Sequence, residues 1–167
     1  ADSKTERLIL AFGLIPNFEP SVYFARVKDW LSGGGRLLMS ANLSADGSLD
    51  AIVPQYDNIE TRAWLLAFVR DLGVDVESDH IRFTVETDAE FGALQRIEAN
   101  LVFERDCDAS VGSETIRFQA GERMRLFFSY RYTLKQLNDV AQAHGLTIVD
   151  SEVAGNGEEG VFELARC

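Results

Sequence analysis

The first forty residues of the chain alternate between strand-like and helix-like segments. Residues 7–12 form a continuous apolar run of strand length, and residues 20–31 carry apolar side chains at helical spacing. Three glycines at positions 33–35 end this helix and lead into a second apolar run at residues 36–39. This strand-helix-strand unit predicts parallel strands in a sheet that helices cover on both faces. Because only six residues precede the first strand, we expect that strands which normally come earlier are missing.

The first helix is expected to begin at Pro20, which suits the first helical position. Glu19, alone or with Asn17, is predicted to accept hydrogen bonds from the free amides of its first turn. Five residues of this helix are predicted to face the sheet: Val22, Ala25, Val27, Trp30 and Leu31.

The composition restricts the class of protein and its partners. The 167 residues include 46% hydrophobic and 26% charged side chains, which predicts a folded domain rather than a disordered chain. The formal net charge of -11 would repel a phosphate backbone, so no nucleic acid partner is expected. No apolar run approaches the roughly 20 residues of a membrane span, and no signal sequence opens the chain. We expect a cytoplasmic protein with no membrane partner.

The cysteines and histidines predict neither a metal site nor a redox site. Cys107 lies in a predicted polar loop, Cys167 is the last residue, and neither has a partner at metal-ligand spacing. His80 follows a turn rich in acidic residues, and His144 lies at a helix end, where a cation suits the helix dipole. We therefore expect incidental thiols, as in cytosolic proteins, and no bound metal.

The middle of the chain begins with helical periodicity. Residues 40–48 are predicted to form a polar loop after the second strand, at the edge where open α/β sheets place their ligands. Apolar residues at helical spacing then predict one helix across residues 52–72, which Gly73 ends.

Strand periodicity follows from about residue 81. Apolar and polar side chains alternate in residues 95–104. A polar loop leads to a strand at residues 114–119, and a turn at residues 120–122 predicts a hairpin with a strand at residues 123–132. We interpret these strands as an antiparallel insertion beside the parallel sheet. Alternation along the last strand predicts two faces, Met124-Leu126-Phe128 and Arg125-Phe127-Ser129.

The end of the chain predicts a helix and a closing strand pair. Thr133 and Gln136 have the spacing of a capping box, and residues 146–149 and 161–164 read as two antiparallel strands. The helix is expected to bury four residues: Leu134, Leu137, Val140 and Ala141. The whole order predicts an α/β fold in three parts: residues 1–50, an insertion of a helix and antiparallel strands at 51–132, and a closing part at 133–167.

Three segments resemble the histidine Nα-methyltransferases of the ergothioneine pathway, which have the class I methyltransferase (Rossmann-like) fold. Gly13-Leu-Ile-Pro-Asn-Phe-Glu-Pro20 is similar to their strand-to-helix turn, which contains Gly-Asn-Phe-x-Pro. Tyr56-Asp57-Asn58 is similar to their Tyr-Asp-Asp segment. The stretch at residues 120–133 resembles their Gly-Glu-x-Ile pattern followed by Glu-x-Ser-x-Lys-Tyr-Thr. Together these segments cover nearly the whole chain and match the second half of that fold, whose seventh strand is antiparallel.

The resemblance implies a role for each matching residue. Asn17 matches the asparagine that binds the α-amino or carboxylate group of the amino acid substrate, and Tyr56 matches the tyrosine on its carboxylate. Ser129 matches one of two residues that hydrogen-bond the imidazole, but the second, a glutamate in the family, is Phe127 here. Gly13 matches a position beside the cofactor. An apolar or aromatic substrate side chain is therefore expected to suit the pocket better than imidazole.

The resemblance also implies S-adenosylmethionine as cofactor and methyl transfer to an amine as the reaction. Orientation supplies most of the catalysis of such a transfer, so no catalytic residue is assigned. The glycine-rich turn and the acidic residue that bind this cofactor in the fold have no counterpart in the sequence. We therefore expect the carboxyl-terminal half of the enzyme, completed by a missing amino-terminal half or a partner chain. The alternative is a non-catalytic binding or partner subunit that retains only the substrate side of the fold.

Overall fold

The computed structural model describes residues 7–45, 47–74, 76–77 and 80–167. Three predictions touch other residues: the six that precede the first strand, Asp46 in the polar loop, and Ser78 and Asp79 before His80 lie outside the described residues. The described residues form two units. The core unit contains those up to Ser48, from 87 to 96 and from 129 to 167, and the second unit contains those from 49 to 86 and from 97 to 128.

Four strands form the sheet of the core unit. β1 (Leu8–Ala11) pairs in parallel with β2 (Arg36–Asn42), which confirms the predicted strand-helix-strand unit. β9 (Glu159–Arg166) is antiparallel to β2 and to β8 (Leu146–Val153), so the predicted closing pair is also confirmed. The order of the sheet is β1-β2-β9-β8. β2 is longer than predicted because its pairing with β9 continues to Asn42.

Helix α1 (Pro20–Trp30) begins where the sequence predicts, but it buries a different stripe. Val27 and Leu31 are buried as expected, whereas Val22, Ala25 and Trp30 are exposed, so the prediction was wrong for these three. The stripe is instead formed by Pro20, Tyr23, Phe24, Val27 and Leu31. Burying the rings of Tyr23 and Phe24 removes more apolar surface from water than burying Val22 and Ala25 would.

The predicted cap of α1 was wrong as well. Glu19 is the residue before the helix, but its side chain accepts no hydrogen bond from the first turn. Pro20 has no amide hydrogen, which removes one of the groups that such a cap would satisfy. The carboxylate of Glu19 instead accepts hydrogen bonds from Tyr130 and Arg96.

Helix α4 (Leu134–Ala143) has the predicted capping box. The amide of Gln136 donates to the hydroxyl of Thr133, and the side chain of Gln136 accepts from the amide of Thr133. Leu137, Val140 and Ala141 are buried as predicted, but Leu134, at the first position of the helix, is exposed although its spacing places it on the same stripe, so the prediction was wrong for this residue.

β1 lies at the edge of the sheet, and its apolar side chains are exposed. Leu8 is 63% exposed, Leu10 is 60% exposed and Phe12, directly after the strand, is 50% exposed. Their alternate spacing places them on one face of the strand. An edge strand with this pattern is a ready surface for another element.

In the second unit, the predicted long helix is two helices. α2 (Val53–Tyr56) ends before Asp57, and α3 (Ile59–Asp71) begins after Asn58. The side chain of Asn58 accepts a hydrogen bond from the amide of Thr61 at 2.9 Å, so it caps α3 and ends the continuity with α2.

The strands after α3 pair differently from the prediction. β3 (Ile81–Thr87), β4 (Gln95–Val102) and β7 (Arg123–Arg131) form one sheet in the order β3-β4-β7. β5 (Cys107–Val111), which was predicted as a loop, pairs with β6 (Glu114–Phe118) in a separate two-stranded sheet. The predicted hairpin between residues 114–119 and 123–132 was therefore wrong. The short turn at Gly112 and Ser113 brings β5 and β6 together first along the chain.

The core of the second unit is an apolar cluster of α3 and strand residues. Its buried members are Leu65, Leu66, Val69, Val74, Ile81, Ala99, Leu101, Phe103 and Ala109. Met124, Leu126 and Phe127 of β7 pack against this cluster, whereas Phe128 lies beneath the guanidinium of Arg125, 4.6 Å from its ring centre. The predicted faces of β7 are therefore wrong at Phe127 and Phe128, because strict alternation is lost between Leu126 and Phe128.

Candidate functional site

Asn17 lies on a short turn at the carboxyl end of β1. A 3-10 turn (Ile15–Asn17) follows the strand, and the amide of Asn17 donates to the carbonyl of Leu14 at 3.0 Å. Ile15 and Pro16 are buried, whereas Asn17 is exposed. The turn is thus anchored by its apolar residues and presents the side-chain amide of Asn17 at the surface.

Gly13 begins the same turn and is the residue that the resemblance assigns to the cofactor. Its φ of +70° suits glycine, and among the described residues beyond its two chain neighbours no atom lies within 4 Å of the place where a Cβ would stand. A ligand could therefore approach the backbone closely there. The Gly13 amide already donates to the Ser40 hydroxyl at 2.8 Å. Gly13 thus fits one contact with S-adenosylmethionine, but it does not make a complete cofactor site.

A cavity of about 490 Å³ lies beside Gly13 in the core unit. It opens at the ends of β1 and β2 and along the loop between β8 and β9. Its polar lining comes from Ser40, Asn42, Glu152 and Glu159. Such a lining offers hydrogen-bond acceptors to hydroxyl or ammonium groups of a small molecule.

Behind the Asn17 turn, the core unit contains a hydrogen-bond cluster of four side chains, which we call the Tyr130 cluster. The hydroxyl of Tyr130 lies 2.7 Å from Oε2 of Glu19 and 2.6 Å from Oδ2 of Asp88. Arg96 donates from Nη1 to the Tyr130 oxygen at 2.5 Å and to Glu19 at 3.3 Å, and it lies 3.7 Å from Asp88. Tyr130 and Asp88 are buried, whereas the carboxylate of Glu19 reaches the surface, with 39% of its side chain exposed.

The electrostatics keep the Tyr130 hydroxyl protonated and Asp88 charged. Burial, together with hydrogen bonds to Asp88 and Glu19, raises the pKa of Tyr130 far above its usual range. Burial alone would raise the pKa of Asp88, but hydrogen bonds from Tyr130 and the amides of Phe91 and Glu90, with the charge of Arg96, lower it overall. The single hydroxyl hydrogen of Tyr130 is therefore shared between two carboxylates.

Sequence reasoning missed this cluster. Glu19 was interpreted only as a helix cap, and Tyr130 was given no functional role. The two residues are 111 positions apart, so no local pattern links them. The polar residues Asp88 and Arg96 beside a strand gave the only signal, and it does not identify their partners.

Ser129 precedes Tyr130 on β7 and is 2% exposed. Strand alternation directs its side chain to the opposite face from Tyr130. Arg131, two residues on and also buried, donates to the carbonyl of Leu43 at 3.1 Å. Of the predicted substrate residues, Asn17 and Ser129 therefore belong to the core unit.

Tyr56 and Phe127 belong to the second unit, where they contact each other. Their ring centres are 5.7 Å apart, and the ring of Trp64 meets Phe127 edge to face at 6.5 Å. Trp64 is 64% exposed. The contacts of Phe127 with Tyr56 and Trp64 had no counterpart in the sequence pattern, because Phe127 lies on a strand more than 60 residues later in the chain.

A second polar group lies on β4 and β7 of the second unit. Glu98 and Asn100 are buried, and the side chain of Asn100 donates to Glu98 at 3.1 Å. Arg125 donates to the other oxygen of Glu98 at 3.3 Å. The simple alternation predicted for β4 did not anticipate that its polar face would be buried.

Among the described residues, no group of three or more His, Cys, Asp or Glu side chains is placed to hold a metal ion. In the same part of the chain, no helix is long and apolar enough to cross a membrane.

Solved structures similar to this chain include three methyltransferases at low identity. An S-adenosylmethionine-dependent methyltransferase from Clostridium acetobutylicum is 12% identical, with a TM-score of 0.40 over 97% of this chain and 59% of that one. The CcbJ methyltransferase from Streptomyces caelestis is 11% identical, with a TM-score of 0.42 over 100% and 60%. The glycopeptide N-methyltransferase MtfA, solved with S-adenosyl-L-homocysteine, is 11% identical, with a TM-score of 0.41 over 100% and 57%.

This chain therefore spans less than two thirds of the length of each of these proteins. No curated protein sequence matches it significantly. The family model for histidine-specific, S-adenosylmethionine-dependent methyltransferases matches residues 2–163, which is nearly the whole chain. The chain belongs to the family of histidine-specific, S-adenosylmethionine-dependent methyltransferases.

Proposed function

We propose that this chain forms part of an N-methyltransferase that acts on the α-amine of an amino acid or a related small amine. The observation that carries the proposal is the exposed amide of Asn17, held on an anchored turn at the carboxyl end of β1. Ligands of open α/β sheets bind at this edge. An amide side chain has both donors and an acceptor, so it suits an amino acid's ammonium or carboxylate group.

Four residues have a proposed role. In the core unit, Asn17 binds the α-amino or carboxylate group, and Ser129 contacts the substrate side chain. In the second unit, Tyr56 binds the carboxylate, and Phe127 forms a wall near the substrate side chain. These roles come from the family resemblance, residue by residue, and each is open to a single substitution.

The reaction asks for orientation rather than for an acid or a base. S-adenosylmethionine, when bound, supplies an electrophilic methyl group on a sulfonium. The chain's residues need to hold a neutral amine in line with that group and to exclude competing water. The side chain of Asn17 can hold the amine by accepting one of its hydrogens, which leaves the nitrogen lone pair available.

We also propose that another segment covers the β1 edge. The row formed by Leu8, Leu10 and Phe12 would otherwise leave apolar surface and unpaired backbone groups in water. The covering element is the amino-terminal part of the enzyme, on the same polypeptide or on a partner chain. It would also supply the glycine-rich turn and the acidic residue that bind the cofactor.

The proposal is tested by methyl transfer from isotopically labelled S-adenosylmethionine to a panel of amino acids. The assay uses the full-length protein that contains this chain, with Asn17→Ala and the control Asn138→Ala, which alters a half-buried asparagine of α4. We expect Asn17→Ala to lower kcat/KM for the amine by about tenfold to a hundredfold, because bound polar groups lose a partner. Equal activity of the two variants would exclude the role of Asn17, and no transfer to any amine would exclude the function.

The second candidate is a non-catalytic binding or partner subunit. The bond from the Gly13 amide to Ser40 favours it, because that amide is not free to bind a cofactor. A protein of this kind would bind amino acids in calorimetry and transfer no methyl group, whereas the enzyme would do both.

A further inference from the structure

We propose that Tyr130 is a positioning residue that fixes the spacing between Asn17 and Ser129. This inference rests on the proposed function for its consequence, because both residues are proposed there to contact the amino acid. Its geometry is independent of that function. The hydrogen bond from Tyr130 to Glu19 links two segments that are 111 residues apart in sequence. Both residues belong to the core unit, as do Asn17 and Ser129.

Glu19 connects the turn that carries Asn17 to the Tyr130 cluster. This residue lies two positions after Asn17 and directly before α1, and its carboxylate makes no capping bond to the helix. The other end of the turn is held by the bond from Gly13 to Ser40 and by the buried Ile15 and Pro16. The Tyr130 cluster therefore provides a side-chain anchor for the end of the turn nearest to Asn17.

Tyr130 also fixes the strand beside Ser129. Tyr130 is its neighbour on β7, and the tyrosine side chain is completely buried. A buried ring with a fixed hydroxyl sets both the position and the rotation of the strand at this point. Any displacement of Tyr130 relative to Glu19 changes the distance between the two proposed substrate contacts.

The charges explain why the hydroxyl matters. It lies within hydrogen-bond distance of the carboxylates of both Glu19 and Asp88, and it accepts a bond from Arg96. Without the hydroxyl, the two carboxylates face each other with Arg96 as the cation between them, at 3.3 and 3.7 Å. Their repulsion is expected to displace Glu19, which is the more exposed of the two, and with it the Asn17 turn.

The chain offers a closely matched control. Tyr132 directly follows β7, is completely buried, and its ring centre is 6.2 Å from that of Tyr130. In the part of the chain that the structure describes, its hydroxyl has no hydrogen-bond partner. Tyr130→Phe and Tyr132→Phe therefore remove the same atom at the same depth, but only the first removes an anchor.

The test combines two measurements on the full-length protein that contains this chain. Hydrogen exchange reports on the amides of Asn17 and Phe18, which bond to the carbonyls of Leu14 and Ile15. We expect Tyr130→Phe to speed their exchange by about tenfold, as for loss of one charge-assisted bond, and Tyr132→Phe to leave it unchanged. Steady-state kinetics should then give a kcat/KM for the amine about tenfold lower for Tyr130→Phe, with KM for S-adenosylmethionine unchanged.

A rescue variant separates positioning from simple loss of stability. Glu19→Gln keeps an oxygen that can accept from Tyr130, so it should retain slow exchange at Asn17, whereas Glu19→Leu should lose it. Unchanged exchange in Tyr130→Phe would overturn the inference. Faster exchange with an unchanged kcat/KM for the amine, while Asn17→Ala lowers it, would also overturn it and leave the proposed function standing. Faster exchange in a protein that methylates no amine would refute the proposed function and retain the anchor.

Discussion

The ring of Tyr56 lies 5.7 Å from the ring of Phe127, tilted by 35°, in the second unit of the chain. The resemblance assigns Tyr56 to the carboxylate of an amino acid and gives Phe127 the place of a glutamate that binds imidazole. The contact therefore joins a residue that matches the family pattern to one that departs from it. The two rings stabilise each other by packing, and Phe127 offers no charged acceptor where the family has a glutamate.

The first prediction is that the enzyme prefers an apolar or aromatic amino acid to histidine. An imidazole N–H that faces Phe127 would lose a hydrogen bond, at a cost of about 1–3 kcal/mol, or roughly tenfold to a hundredfold in discrimination. In competition assays, Phe127→Glu should raise kcat/KM for histidine relative to phenylalanine, tyrosine and tryptophan. Phe127→Leu is the control and should not raise it. Histidine as the best substrate of the unaltered protein, undiminished relative to Phe127→Glu, would contradict the prediction.

The second prediction concerns the cofactor. Residues 1–167 alone should bind S-adenosylmethionine weakly, because the Gly13 amide is already bonded to Ser40 and the sequence has no glycine-rich turn of the required kind. Calorimetry should give a much higher dissociation constant for this chain than for the full-length protein. A value of about 1–10 μM for the chain alone, which is about 7–8 kcal/mol of binding, would show that its own residues suffice.

The third prediction concerns the β1 edge. Residues 1–167 alone should self-associate, because Leu8 and Leu10 are largely exposed on β1, which lies at the edge of the sheet that the described residues form. Leu10→Lys should shift the chain towards the monomer in analytical ultracentrifugation. Val149→Lys, an exposed position on β8 at the opposite edge, should leave the association unchanged. A monomeric unaltered chain would count against the covering of this edge.

Local patterns predicted those parts of the fold that depend on neighbouring residues. The parallel pair, the capping box of Thr133 and the closing pair each follow from periodicity or capping within a few residues. The break at Asn58 could have been predicted in the same way, because Asp57-Asn58 is a favourable start for a helix.

Pairing over long distances could not be predicted in that way. The strand character of residues 114–118 and 123–131 was evident, but periodicity does not say that the first pairs with β5 and the second with β4. The Tyr130 cluster is a stronger example. Its bond to Glu19 depends on the final packing of α1, β4 and β7, whereas Asn17 and Gly13 were identified from a contiguous motif.

The fourth prediction tests the capping box. Thr133→Ala removes the acceptor for the amide of Gln136 and should lower the free energy of unfolding by about 1 kcal/mol. Thr133→Ser keeps the hydroxyl and should lose much less. Urea denaturation of the three proteins measures the difference. An alanine variant as stable as the serine variant would mean that the cap contributes nothing.

The last prediction is a pH dependence that arises from Asp88. Its carboxylate accepts bonds from the Tyr130 hydroxyl and from the amides of Glu90 and Phe91, and these bonds lower its pKa in the folded protein. A carboxyl group whose pKa is lower when folded than when unfolded stabilises the fold above its unfolded pKa of about 3.9. That contribution is lost as the pH falls through the lower, folded value.

Asp88→Asn should therefore destabilise the protein most near neutral pH, by about 1–3 kcal/mol, the range for bonds to a charged group. The difference from the unaltered protein should shrink as the pH falls below about 4, because protonation then removes the same charge from both states of the unaltered chain. Tyr130→Phe should show a weaker form of this dependence, since it removes one of the bonds that lower the pKa. Urea denaturation of the three proteins between pH 3 and pH 7, with about one measurement per half pH unit, gives the three curves of stability against pH. Parallel curves for Asp88→Asn and the unaltered protein across this range would show that Asp88 does not contribute through its charge.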